Sequence, residues 1–160
     1  MVYYLYTGEK MGNKCIFLVI ICLTLSSCNT TSNSIVTPII DMSMYEFASI
    51  GSDVTGGSAV MGALMDLQNS LMSCGYKVIG DTRINSTLVQ EDLTKLFIVT
   101  MGLTSTTGQS ICIINLTDYN TGLIIASFKG SFSWGWDIED NQKHAIENAI
   151  IRMENAITKK

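Results

Sequence analysis

LFIVTMGLTSTTGQSICIINLTDYNTGLIIASFKGSF, residues 96–132, reads as three β-strands joined by two short turns. Residues 96–101, 110–116 and 123–132 are rich in β-branched, aromatic and other apolar side chains. The intervening Thr104-Ser105-Thr106-Thr107-Gly108 and Asp118-Tyr119-Asn120-Thr121-Gly122 supply the residues that turns require. Turns this short join antiparallel neighbours, so a three-stranded meander is expected. Its centre does not alternate: residues 96–99, 111–114 and 123–126 are continuous apolar blocks, the pattern of a sheet covered on both faces. Either two helices straddle such a sheet, or they share one face and a second subunit or partner protein covers the other.

Toward the N-terminus, residues 44–50 form a β-prone segment with Tyr45 and Phe47, running into the Gly-rich loop 51–58. Val60, Leu64, Leu67 and Leu71 then recur at spacings of three and four, with Met61 and Met72 widening the stripe, so a helix is expected that Ser58 can cap and Gly75 closes. Residues 76–79 are a short strand, and the polar segment 81–95 holds one helical turn near residues 89–93. Toward the C-terminus, Ile146, Ala149, Ile150, Met153 and Ile157 mark one stripe of a helix over about 140–157, with Lys143, Glu147, Arg152 and Glu154 largely off it. Asp137, Glu139 and Asp140 stand at its start and Lys159 and Lys160 beyond its end, as the helix dipole favours. The expected fold is α+β: a mixed, mainly antiparallel sheet of about four to five strands with two main helices packed on it, in a single domain over 44–158.

The last strand carries an aromatic parity. Phe128, Phe132, Trp134 and Trp136 share one face if the strand stays regular, opposite Ser127, Lys129, Ser131 and Ser133. Burial under the helices is one reading of those rings. For Trp134 and Trp136, which lie past the strand's apolar centre, the other reading is a surface for a partner, glycan or headgroup.

Leu25-Ser26-Ser27-Cys28 ends an apolar run of about a dozen residues behind Lys10 and Lys14, the charged-then-apolar order of a secretory signal too short to span a bilayer. Three tyrosines and an acid precede those lysines, so Met11 is the expected start. Residues 1–27 are read as signal, and 28–43 as Cys28 followed by a flexible tether rich in Asn, Ser and Thr. The chain from Cys28 onward amounts to about 133 residues, one domain by size. Without Glu9, Lys10 and Lys14 the chain's 14 acids and 10 bases become thirteen and eight, with no basic cluster larger than Lys159-Lys160; nucleic acid is not an expected partner. Cys74 and Cys112 are left as thiols. An exported location permits a bridge between them, and two small buried hydrophobes are the alternative.

No cofactor, metal or catalytic residue is expected. Gly51 to Ser58 has the context of a phosphate-binding loop, yet Gly57 stands where the lysine must reach the phosphates. His144 is the only histidine and no motif pairs it with a nucleophile. Asp137, Glu139 and Asp140 lack the spaced oxygens and turn glycine of an EF-hand and read as helix-capping residues. A carboxylate pair for hydrolysis is a three-dimensional quantity that a sequence does not show.

Ser26-Ser27-Cys28 resembles a bacterial lipobox, which implies cleavage before Cys28 and a diacylglyceryl group on its sulfur. Because Asn29 is not the Asp of an inner-membrane retention signal and the tether has no acidic export cluster, that resemblance implies the periplasmic face of the outer membrane. Residues 71–79, 96–102 and 115–122, with the closing helix, resemble small Bacteroidota-like exported lipoproteins in the superfamily of the curli-secretion lipoprotein and the N-terminal domain of the Tol-system propeller protein. The resemblance covers about residues 45–157 and implies a fold and a role in envelope assembly or binding, with neither pore formation nor a site. The leading expectation is therefore a lipid-anchored lipoprotein acting by protein contact, with a homo-oligomer or an envelope protein as partner. Glycan or peptide binding through Trp134 and Trp136 is the runner-up, and a hydrolase without a recognisable motif comes third.

Overall fold

The structure, a computed structural model, describes residues 41–51, 58–81, 84, 88–133 and 137–158. Cys28 and the tether up to residue 40, most of the Gly-rich loop, Trp134, Trp136 and the two terminal lysines lie outside them, whereas residues 41–43, read as the end of the tether, are described and bring Met42 into the core. After a 3-10 turn at Met42–Met44, capped by the Asp41 side chain on the Ser43 amide, the described elements are β1 (Phe47–Ile50), α1 (Ser58–Ser73), β2 (Lys77–Gly80), α2 (Gln90–Leu93), β3 (Leu96–Thr106), β4 (Gln109–Asp118), β5 (Ile124–Phe132) and α3 (Ile138–Ile157).

The strands form one five-stranded sheet in the order β2-β1-β3-β4-β5. β1 pairs in parallel with β2 and with β3, over four residues each, whereas β3, β4 and β5 make longer antiparallel ladders. The sheet is thus mixed and mainly antiparallel, as the turn chemistry of the meander requires. Parallel neighbours need crossovers, and α1 supplies the one between β1 and β2. Glu46 fixes the entry of β1: its amide donates to Lys95 O, its carbonyl accepts from Lys77 N, and its carboxylate meets Lys95 Nζ at 3.1 Å.

Both long helices lie on one face of the sheet. Val60, Ala63, Leu67 and Leu71 of α1 and Ala145, Ile146, Ala149, Ile150, Met153 and Ile157 of α3 join one core with Ala48, Phe97, Val99, Ile114, Leu116 and Phe128. The helix stripes read from spacing are the buried stripes, with one correction. Met61 and Met72 do not widen the buried stripe; they are 66% and 57% exposed, because each sits about a third of a turn away from the line of Val60, Leu67 and Leu71. Gly75 closes α1 at φ 93°, with Tyr76 N donating to Leu71 O and Gly75 N to Met72 O, a Schellman ending that places a Cβ-free residue in the left-handed region. Asp137 caps α3 by accepting from Asp140 N at 2.7 Å.

The opposite face is covered from within the chain at one end. Phe47 and Leu96 are buried there under Ile84 and Leu93, with Ile79, Leu88, Ile98 and Tyr119 packed against them, so the connection between β2 and β3 forms a second small core. Across the meander this face is polar, carrying Thr100, Asn115, Thr117, Ser127, Lys129 and Ser131, with Ile111 half-buried and Ile113 40% exposed. The expectation of a sheet centre apolar on both faces is corrected accordingly. At β5 a register shift opposite Leu116 and Thr117 turns Ile125 and Ala126 inward together and leaves Leu123 and Ile124 exposed, which is why the block shows no alternation.

Candidate functional site

Tyr45, Phe97 and Tyr76 form a buried aromatic trio in the core, each tyrosine meeting Phe97 edge-on at 5.6 Å and 5.1 Å. Their hydroxyls are tied down: Tyr76 donates to Ile157 O at 3.0 Å and Tyr45 to Asp118 Oδ2 at 2.9 Å. Asp118 also accepts from the Thr121 amide and hydroxyl at 2.7 Å and 2.8 Å, and Gly122 closes the turn at φ 67°. Burial pushes the Asp118 carboxyl up, but the hydrogen bonds from Thr121, Tyr45 and Asn120 outweigh it and hold the group below the usual carboxylate value. The Asp118-x-x-Thr121-Gly122 turn is therefore an anchor of the fold rather than a reactive carboxylate.

The remaining polar candidates sort the same way. Cys74 and Cys112 are both buried and free, Cys74 with its sulfur 3.6 Å from Thr158 Oγ1 and Cys112 on the core side of β4, where burial pushes its thiol up to about 12. A thiol so desolvated is no nucleophile at neutral pH. His144 places Nδ1 3.0 Å from Glu147 Oε2 and Nε2 3.6 Å from Asp140 Oδ1, its ring tilted over Phe132 at 4.6 Å. These partners, which no motif announced, make it a tie between α3 and the end of β5. Among the described residues no three His, Cys, Asp or Glu side chains gather as a metal-holding group.

Two surface grooves flank α1. One, of about 430 Å³, runs between Gly62, Ala63 and Asp66 of α1 and, on the other side, the cap residue Asp137 with Lys143 and Glu147 of α3. The other, of about 440 Å³, lies on the far side of α1 and is lined by Ile50, Gly51, Met61, Leu64, Met65 and Gln68. The first is acidic with a single lysine; the second holds no charge at all. Periodicity marks Met61 as apolar but does not tell that it faces outward, and Met65 falls outside the spacing that defines the inner stripe. The dearth of charge on α1 is the signal in the sequence that points to this surface.

The edges of the sheet differ as well. Arg152 donates to Lys129 O at 2.8 Å and Asn148 to Ser131 O at 3.2 Å, so α3 satisfies outward carbonyls of edge strand β5 and blunts it. Gly130, between them, lets α3 approach the sheet: a Cβ there would stand 2.9 Å from the Ala149 Cβ and against the helix backbone at Ala145 and Ala149. β2, the other edge, is only four residues long.

No protein-family model matches the chain, and no curated protein matches it in sequence. Among solved structures, the fold is similar to that of the PelC dodecamer from Paraburkholderia phytofirmans. One structure of it matches at TM-score 0.52 and 11% identity, covering 79% of this chain and 98% of that one. A variant form matches at 0.50 and 14%, covering 77% and 98%. A looser likeness, at TM-score 0.46 and 13% identity over 71% and 83%, is to a putative neuraminyllactose-binding hemagglutinin homologue from Helicobacter pylori. Another, at 0.36 and 13% over 57% and 84%, is to lipoprotein GNA1162 from Neisseria meningitidis. At such identities what is shared is the fold. No helix among the described residues is long and apolar enough to cross a membrane.

Proposed function

We propose that this chain is a lipid-anchored lipoprotein of the periplasmic face of the outer membrane that self-associates and acts by protein contact, as an assembly or scaffolding element of the envelope rather than as an enzyme. The observation that carries the reading is the extent of the likeness to PelC, nearly all of whose chain has a counterpart here and whose structure is that of a dodecamer. The lipobox-like Ser26-Ser27-Cys28 supports the anchor. The chemistry of the described side chains is in keeping with a contact role: the buried carboxylate, tyrosines and thiols hold the fold, and both grooves are open to the surface.

Two measurements test the proposal. Cys28→Ala should release the chain from the membrane fraction or leave its precursor uncleaved; mass spectrometry that finds Cys28 unmodified in the native protein refutes the anchor. Light scattering of the full chain in detergent should give a dimer or larger closed assembly, and a strict monomer at high micromolar concentration refutes self-association.

A further inference from the structure

The two helices share one face of the sheet, yet their outer surfaces differ. α3 exposes Glu139, Asp140 and Lys143 beside the isolated apolar Ile138 and Ile151, a mixed outer side with charge at its N-terminal end. α1, over Ser58–Ser73, carries a single charged residue, Asp66, and that one lines the groove toward α3. Away from that groove its exposed side chains are Met61, Met65, Gln68, Asn69, Met72 and Ser73, with the three methionines 66%, 68% and 57% exposed. Depletion of charge with enrichment of methionine is the composition of an interface core.

Spacing gives that surface a shape. Met61, Met65, Gln68 and Met72 succeed one another at four, three and four residues, the interval at which one helix presents a straight seam to another. This seam lies about a third of a turn around the helix from the buried line of Val60, Leu67 and Leu71, so the two do not compete. The four positions are also symmetric about the bond between Asp66 and Leu67. Two copies of α1 packed antiparallel about a two-fold axis at that point would set Met61 against Met72 of the partner subunit and Met65 against Gln68 of the partner subunit, the self-complementary arrangement that a two-fold contact demands.

Resting on the self-association proposed above, we infer that the Met61-Met65-Gln68-Met72 seam of α1 is a contact between two copies of this chain. Charge favours a second copy as the occupant. The chain is net acidic, at −4, so two copies repel wherever their charged faces meet, and this uncharged strip is where they can approach without opposing like charges. Area agrees. At about two-thirds exposure the three methionines present on the order of 400 Å² per copy, hence at most roughly 800 Å² over a two-fold contact, and Leu64 and Ile50 in the adjoining groove extend it toward the ~1,000 Å² that a specific interface needs.

The test uses the full chain in detergent. Met65→Lys should lower the mass seen by light scattering and weaken association at least ~100-fold, while the thermal unfolding of the domain stays unchanged because the side chain is exposed. A Met61→Cys/Met72→Cys double variant should cross-link in pairs under mild oxidation, and neither single variant should do so to a comparable extent. If the wild-type chain assembles and Met65→Lys leaves its mass unchanged, the seam is refuted and self-association stands. If the wild-type chain is a monomer, both fall, and the seam is left to a foreign helix or a lipid surface.

Discussion

Gly130→Ala should be among the most damaging single-methyl changes available to this fold. Its added carbon would lie 2.9 Å from the Ala149 Cβ and against the backbone of α3 at Ala145 and Ala149, where nothing can rotate away. Ordinary carbon contacts are about 3.5–4.0 Å, so α3 must retreat by roughly 1 Å, and a gap of that size forfeits about a quarter to a half of the dispersion energy along the interface. The side chains affected include Ala145, Ile146, Ala149, Ile150 and Met153, all buried. Overpacking against mobile side chains costs about 1–3 kcal/mol, and a backbone obstruction puts this case at the upper end, near 3 kcal/mol. In urea unfolding, with a slope of about 1–3 kcal/mol/M, the midpoint should fall by roughly 1–3 M with the slope unchanged. Gly102→Ala is the control, since a Cβ at that strand position meets nothing within 4 Å. It should be neutral or stabilise by about 0.5 kcal/mol. A Gly130→Ala midpoint equal to that of Gly102→Ala would refute the close approach of α3 to β5.

Asp118→Ala should cost about 2–3 kcal/mol, because it strands the buried Tyr45 hydroxyl and the Thr121 amide together. The Asp118 carboxyl is held below its ordinary 3.8, so its contribution is present above that value and is lost as pH falls through the lower folded-state value; Asp118→Asn should flatten the acid limb of a stability-versus-pH curve, and an unchanged limb refutes the assignment. The alkaline limb has the opposite sign. Burial raises Tyr45 and Tyr76 from 10.0 to about 12 and Cys112 from 9.0 to about 12, so stability is full below pH 9 and declines toward pH 12 as the unfolded chain ionises first. Alkylation of Cys112 should accordingly wait on global unfolding, and rapid modification of the native protein would contradict its burial.

Much of this architecture is written in local pattern. The meander comes from two turns whose Gly and Asp residues allow little else, and the inner stripes of both long helices come from their three-and-four spacing. Gly75 and Asp137 mark a helix end and a helix start by chemistry that acts over a few residues. Strand order is different in kind: β1 lies between β2 and β3 because of parallel pairings across two crossovers, and no short window of sequence encodes them. Gly130 likewise reads as an interruption in an apolar face until Ala145 and Ala149 are seen above it. The ties of His144 to Asp140, Glu147 and Phe132 are legible in part, as i,i+4 and i,i+3 spacing, but the ring contact is not.

A sheet apolar on both faces would associate through its uncovered side, and the fold moves that expectation to another surface. The apolar block of β3 is consumed internally, since Leu96 and Ile98 lie under the connection that carries Ile84 and Leu93. The β5 block is consumed by a bulge that buries Ile125 and Ala126 side by side. The apolar residues still open on the sheet are Leu123 and Ile124 at the start of β5 and Ile111 and Ile113 of β4, and Thr, Ser, Asn and Lys side chains interrupt them. The outer side of α1 is not so interrupted. It is continuous over about 16 Å of helix and carries no charge along the seam, and spacing alone could not flag it because Met61 and Met72 also fit the edge of a broad buried stripe. Charge distribution separates the two cases: the outer side of α3 carries acids and a lysine, and the seam of α1 carries no charge, which is what favours it as the contact proposed above.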